Sequence, residues 1–474
     1  MCPEATPAAP AETDDPDELV AGILDDARTA MEAIADYDQA ALDQLARAIG
    51  WAVYREERCR ELSELAVETT GLGDADDKYR KKRRKIPGVL EDILATQTVG
   101  VVDKDPAAGR VDIAKPVGVV GGVVPSTNPG ATPTVLAMLA VNCRNAIVLS
   151  PSPRGLAVCE QVVEYVREEL AAAGAPPDLV QMLPAPVSKP KTYALMEQVD
   201  LLQVTGSADN VRAGQESGTP NYCVGQGNPV AIVDETADVT ATAERIATSQ
   251  QFDNGTSCSS EGNAAVVADV YDETLAALAD AGGYLCTGDE RRRLCETLFP
   301  DGERDPETLA RPATDIADRA SIDVPDETEF LLTRGRGVGP DHPLSGEKLA
   351  PVLNVFRVPD VDRALTLASC ILAYEGAGHS ANIQTTDSER ARRAGERLGV
   401  ARLLVNQPNA LANGGHYRNG LTSTLSEGTG TWGGNQLAEN VGVEQFYQTT
   451  TVARPIEDAS PPDADALFAP YVDG

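Results

Sequence analysis

Cys258 lies in residues 252–261, FDNGTSCSSE, among neighbours that are small or polar. A structural cysteine sits among Val, Leu and Ile, as the surroundings of Cys143 and Cys370 suggest for those two. Small neighbours leave a thiol open to a substrate, and backbone N–H groups in such a turn can stabilise charge developing on an oxygen. Attack of sulfur on a carbonyl carbon needs both features, although an inert loop cysteine fits the composition as well. His379, in residues 375–380 (EGAGHS), is flanked by Gly376, Gly378 and Ser380 and reads as a loop residue able to exchange protons; the alternative is a hydrogen-bonded His after a turn. With only His342, His379 and His416 and no CxxC pair among nine cysteines, neither a metal site nor a disulfide framework is expected. Gly428, Gly430 and Gly433 spell GxGxxG, but strand, helix and ribose acid are not evident around them, so they are not read as a dinucleotide fingerprint.

The elements that must position these residues follow from apolar periodicity. Residues 1–18, rich in Ala, Pro and acid, predict a flexible tail, and helical spacing from Leu19 to Thr70 predicts packed amphipathic helices. Short β-branched runs at 117–124, 146–149, 180–183 and 201–204 alternate with helical ones such as 156–173, which predicts βαβ units around a parallel sheet. The alternation repeats after Asp234, with helices at 237–249, 273–281 and 362–374 and strands at 264–267, 352–357 and 401–405. The fold class is therefore α/β with two such units, and the Gly-, Asn- and Thr-rich stretch 406–435 is expected to wrap the site as loops.

The length of 474 residues and 42% hydrophobic content allow two or three cores. No apolar run approaches the roughly 20 residues that cross a bilayer, and the N-terminal residues carry no basic, apolar leader, so a cytoplasmic protein is expected. A net charge of −33 repels nucleic acid and anionic membranes. So much like charge is best screened by concentrated salt, which points to a halophilic cytoplasm.

The run FDNGTSCSSE resembles the nucleophile motif of aldehyde dehydrogenases in their coenzyme-A-acylating branch. Other segments match in order: 117–154, VTGS at 204–207, VGQGNP at 224–229, GEKLAPVL at 346–353, EGAGHS, and GTGTWGGN at 428–435. Within the branch, DNGTSCSSE, GHSANIQTTD, LVNQPN and the NGG and NGL elements of 413–421 are most similar to acylating sulfoacetaldehyde dehydrogenases. The resemblance implies two Rossmann-like domains, an NAD(P)-binding one at 19–236 and a catalytic one at 237–421. A rim and oligomerisation segment at 422–474 follows, in a homodimer or homotetramer.

It also implies that Cys258 attacks a small aldehyde, that hydride passes to NAD(P), with NADP favoured, and that coenzyme A takes the acyl group. Asn128 matches the oxyanion donor and Glu347 the acid that holds the nicotinamide ribose. Thr127, Gly206, Ser207 and Gly225 fall at the cofactor side, while Ser150 and Arg154 stand near the adenosine ribose, where Arg154 could pair with a 2′-phosphate. Residues 223–230 contain no carboxylate where hydrolytic relatives carry a general-base Glu, which favours acyl transfer to a thiol over attack by water. His379 is the acid–base residue left. The basic run Lys78, Lys81, Lys82, Arg83, Arg84 and Lys85 is read as a solvated helix face, or as a lure for coenzyme A phosphates. His416 and Arg418 are candidates for a sulfonate pocket and Trp432 for its mouth. Thr429 and Glu427 depart from the branch, which usually has Cys and a small residue there.

Overall fold

The computed structural model describes residues 15–457 and 459–472. Three sheets organise the chain. β1 (Gly100–Asp105), β2 (Arg110–Pro116) and β15 (Tyr447–Ala453) form an antiparallel sheet in the order β1-β2-β15. β3 (Val119–Val124), β4 (Ala146–Pro151), β5 (Val180–Met182), β6 (Leu201–Thr205) and β7 (Asn221–Val224) form a parallel sheet in the order β5-β4-β3-β6-β7. A second parallel sheet runs β10-β11-β12-β9-β8-β13-β14. Its strands are β8 (Val230–Val233), β9 (Asn263–Val267), β10 (Gly283–Leu285), β11 (Phe330–Arg334), β12 (Val352–Val358), β13 (Gly378–Gln384) and β14 (Val400–Val405).

β3 and β4 are buried along their whole length because helices cover both faces, which is why they read as unbroken apolar runs. The helix Ala131–Asn142 is buried all round and carries no polar stripe. In the second sheet the alternation of a strand is visible: Val230 and Ile232 pack on one face with Phe356 and Leu365, and Ala231 and Val233 pack on the other with Phe330 and Leu353. In the first sheet the strand order reverses at β3 and β6, so the crevice beyond their carboxyl ends is the natural ligand site.

Several expectations change. Residues 16–18 of the expected tail open the helix Pro16–Ala33, with Pro at its first turn and the Asp15 side chain accepting from the Asp17 N–H; residues 1–14 lie outside the described residues. β8 already belongs to the second sheet, ahead of the boundary expected at 236. β1, β2 and β15 were not expected, since they are mostly exposed and lack an apolar face. β2 and β15 join distant parts of the chain, so the rim segment returns to the first half. Cys143 is buried but Cys370 is exposed on the helix Val361–Tyr374. His379 sits in β13, fully buried, and not in a loop.

Candidate active site

A cleft of about 580 Å³ opens between the carboxyl ends of β3 and β6 and the turn that carries Cys258. That turn is shaped by three successive left-handed residues, Asp253 (φ 53°), Asn254 (φ 52°) and Gly255 (φ 65°). Asp, Asn and Gly adopt this conformation at the least cost. At Gly255 space also demands glycine, because a Cβ would lie 2.7 Å from the Ala350 carbonyl carbon.

Asp253 fastens the turn to the helix Ala75–Leu94. Its buried carboxylate accepts from Lys78 Nζ at 3.1 Å, from Lys81 Nζ at 2.7 Å and from the Asp74 N–H at 2.9 Å. Burial works to raise the Asp253 carboxyl, but the charges of Lys81 and Lys78 outweigh it and hold the group below its ordinary range. Lys81 Nζ also donates to Asn128 Oδ1 at 2.8 Å, which fixes the amide so that its NH₂ is the free end. The basic run is thus neither a solvated face nor a phosphate lure as a whole: Lys78, Lys81, Lys82 and Lys85 are buried. Lys82 donates to Ser63 Oγ at 2.7 Å, and Lys85 to the carbonyls of Gly414 and Gly415.

Cys258 is half-buried. Burial, then the charges of Glu427 and Glu347, push its thiol well above the ordinary range, so it rests protonated. Its Sγ, a nitrogen of His379 and a carboxylate oxygen of Glu427 all lie within 4.8 Å of one another. The lack of a carboxylate in residues 223–230 does not leave the thiol without one. Glu427 arrives from the rim loop and lines the cleft beside Cys258. Arg402 holds that loop down, donating to Gly428 O at 2.7 Å, Ala438 O at 2.8 Å and His379 O at 3.0 Å. Burial pushes the His379 imidazole down to about 3, with Arg402 adding to the effect, and leaves its Nε2 buried without a partner. A neutral imidazole with so low a pKa is a poor proton acceptor, whereas the Glu427 carboxylate stands within 4.8 Å of both that ring and the thiol. Gly227 presses on the same place: a Cβ there would lie 2.2 Å from the Cys258 carbonyl oxygen.

On the cofactor side, Thr127, Asn128, Gly206, Ser207, Gly225 and Glu347 all line the cleft. The Ser207 hydroxyl caps the helix Ala208–Glu216. A Cβ at Gly225 would meet nothing within 4 Å and one at Gly206 only Asn210 Nδ2 at 3.7 Å, so packing does not require glycine at either; the space they leave suits a ligand lying on the backbone. Glu347 is already engaged, accepting from Arg304 Nη1 at 2.6 Å and from the Gly227 N–H at 3.0 Å. Ser150 and Arg154 are not brought in: Ser150 is buried against Thr192 Oγ1 at 2.8 Å, and Arg154 reaches Glu307 at 3.6 Å on the surface. His416, Arg418 and Trp432 are also absent from the cleft lining. Arg418 stacks over exposed Tyr417, and Trp432 is 58% exposed. Sequence reasoning missed Asp253 as the anchor and Arg402 as the clasp; the Asp-Asn-Gly run was the one local signal for the former.

A parallel α/β fold with a thiol at the mouth of a nucleotide-type crevice defines a class, and comparison with known proteins defines it further. Residues 13–297 match the aldehyde dehydrogenase family. The chain is 43% identical over 452 residues to an acylating sulfoacetaldehyde dehydrogenase of Cupriavidus necator, covering 95% of this chain and 92% of that protein. A second acylating sulfoacetaldehyde dehydrogenase, from Bilophila wadsworthia, is 38% identical, over 91% of this chain and 94% of its own. The crystal structure of an acetylating aldehyde dehydrogenase from Geobacillus thermoglucosidasius superposes with a TM-score of 0.90 at 28% identity, over 94% and 98% of the two chains. The protein belongs to the aldehyde dehydrogenase family and is an oxidoreductase acting on aldehydes.

Proposed function

We propose that this protein oxidises sulfoacetaldehyde, a small anionic aldehyde, to its coenzyme A thioester with NAD(P)⁺ through a thioester on Cys258. The identity of 43% to an acylating sulfoacetaldehyde dehydrogenase, sustained over 95% of the chain, carries this reading. Cys258 Sγ forms a bond to the aldehyde carbon as its proton leaves for the oxygen, and the Asn128 NH₂, held outward by Lys81, donates to that oxygen together with the Cys258 N–H. Thr127, Gly206, Ser207, Gly225 and Glu347 would hold NAD(P)⁺, which would supply the hydride acceptor, and the hydroxyl proton of the thiohemiacetal leaves to solvent as the hydride departs from carbon. Cys258 then carries the acyl group as a thioester. The sulfur of coenzyme A attacks it, the Cys258 C–S bond breaks, and the coenzyme A proton passes by way of Glu427 to the departing Cys258 sulfur. His379 offers its unpartnered Nε2 as a hydrogen-bonding group at the reacting centre. No step needs a metal.

The acceptor is proposed as NAD(P)⁺ with NADP favoured, Arg154 being half-exposed and paired only loosely with Glu307 at 3.6 Å, a surface contact that a 2′-phosphate can replace. The proposed assembly is a homodimer or homotetramer, in which the exposed sheet of β1, β2 and β15 and the exposed Leu467, Phe468 and Tyr471 are the surfaces to cover. A salt-rich cytoplasm is the proposed setting, since it screens the charge of −33; among the described residues no helix is long and apolar enough to cross a membrane.

Glu427 favours a second reading, because a carboxylate near the thioester can also take a proton from water. The two are separated by following NAD(P)H in high salt with sulfoacetaldehyde, with and without coenzyme A. The acylating reading expects at most about one equivalent per site without coenzyme A, and sustained turnover with sulfoacetyl-CoA as product when it is added. Sustained turnover to free sulfoacetate without coenzyme A establishes the hydrolytic one.

A further inference from the structure

Four cationic side chains line the cleft, and three are committed. Lys81 serves Asp253 and Asn128, Lys85 serves two carbonyls, and Arg304 pairs with Glu347. The fourth, Arg84, one helical turn from Lys81 on the same face of the helix Ala75–Leu94, has no carboxylate and no side-chain hydrogen bond among the described residues. Its Nε is buried without a partner, and its guanidinium carbon lies 5.9 Å from the ring centre of Phe252, another cleft residue. A buried donor without an acceptor is costly. In a chain with 73 acidic residues against 40 basic ones, a carboxylate for Arg84 was the easiest partner to supply, yet the fold supplies none there.

We propose that Arg84 is the anion anchor of the substrate pocket, its guanidinium fork receiving the sulfonate of the aldehyde while Cys258 takes the carbonyl end. The inference rests on the anionic-aldehyde reading above and replaces the expectation placed on Arg418, which stacks on exposed Tyr417 outside the cleft lining. The position along the cleft favours a substrate anion over a cofactor phosphate. Arg84 lies by Phe252, in the turn that leads to Cys258, whereas the residues open to a nucleotide, Gly206 and Ser207, lie beyond β6. A planar fork matches the oxygens of a sulfonate as it matches those of carboxylate or phosphate.

The test compares wild type with Arg84→Gln and Arg84→Lys on sulfoacetaldehyde, succinate semialdehyde and propionaldehyde, with KM for NAD(P)⁺ and coenzyme A measured alongside. Arg84→Gln is expected to lower the ratio of kcat/KM for sulfoacetaldehyde over propionaldehyde by about 10- to 100-fold, the range of a lost charge-assisted hydrogen-bond pair, with Arg84→Lys losing less. Because the readout is a ratio within one sample, a partly misfolded variant does not mimic the result. An unchanged ratio in both variants overturns the proposal, as does a rise confined to the KM for coenzyme A or NADP⁺, which makes Arg84 a phosphate ligand. A wild type that prefers propionaldehyde to both anionic aldehydes overturns the anionic-aldehyde reading itself, and this inference with it.

Discussion

Replacing Asp253 by Asn tests whether the helix Ala75–Leu94 holds the nucleophile turn in place. The carboxylate is fully buried and is the shared counterion of Lys78 and Lys81, both of them buried. Asparagine keeps an oxygen for one donor but removes the charge, leaving two ammonium groups without a counterion. Breaking a buried pair by removing one partner costs about 3–5 kcal/mol, and loss of a proton by Lys78, already disfavoured in its charged form by burial, recovers part of that. A net loss of about 3 kcal/mol is expected by urea unfolding near pH 7.5. The pH dependence has a definite sign: a carboxyl depressed in the folded state stabilises above its unfolded pKa and loses that contribution as pH falls through the folded value, so the difference between wild type and variant shrinks in acid. High salt changes it little, since a buried pair is poorly screened. Lys81→Met combined with Asp253→Asn removes one of the stranded charges, and a coupling of about 1–3 kcal/mol is expected between them. A loss below about 1 kcal/mol for Asp253→Asn, or strict additivity in the double variant, would refute the anchoring role.

Two further predictions address protons. Glu427→Gln is expected to slow acyl transfer to coenzyme A by about 100-fold while the first burst of NAD(P)H survives; rapid-mixing kinetics read both phases, and equal slowing of both places Glu427 at the wrong step. Glu261, raised to about 7 by burial, binds its proton more tightly folded than unfolded, so its contribution is full below the ordinary carboxyl pKa and is lost as pH rises towards 7. Relative to wild type, Glu261→Gln should therefore gain about 3 kcal/mol in unfolding free energy between pH 5 and pH 8, and a pH-independent difference rules this out.

The parts of the fold that could be read in advance are those whose local pattern has one physical meaning. β3, β4 and β6 are short β-branched runs because buried parallel strands need apolar side chains on both faces. Cys258 stood out because a thiol among Ser, Thr and Gly has no packing reason to be there. β1, β2 and β15 were invisible for the opposite reason: mostly exposed strands carry no apolar alternation, and β15 finds β2 through backbone pairing across most of the chain. His379 misled because the glycines just before it imitate a loop, while Gly376 and Gly378, both at positive φ, in fact bend the chain into a buried strand.

The charged run of the helix Ala75–Leu94 is the instructive failure. Lysines spaced three and four apart look the same whether the face they form meets water or meets Asp253, which lies 172 residues beyond Lys81 in the chain. What separates the cases is the partner, and partners belong to the tertiary structure. The same logic gives the helix its part in the site: Lys81 spends its charge on Asp253 and on orienting Asn128, Lys85 holds the loop at Gly414 and Gly415, and Arg84 has no acceptor among the described residues. Glu427 and Glu347 act on the thiol in the same cleft that Arg84 lines, so an anionic aldehyde entering it meets carboxylates near the sulfur and, at Arg84, a cation that no carboxylate pairs with among the described residues.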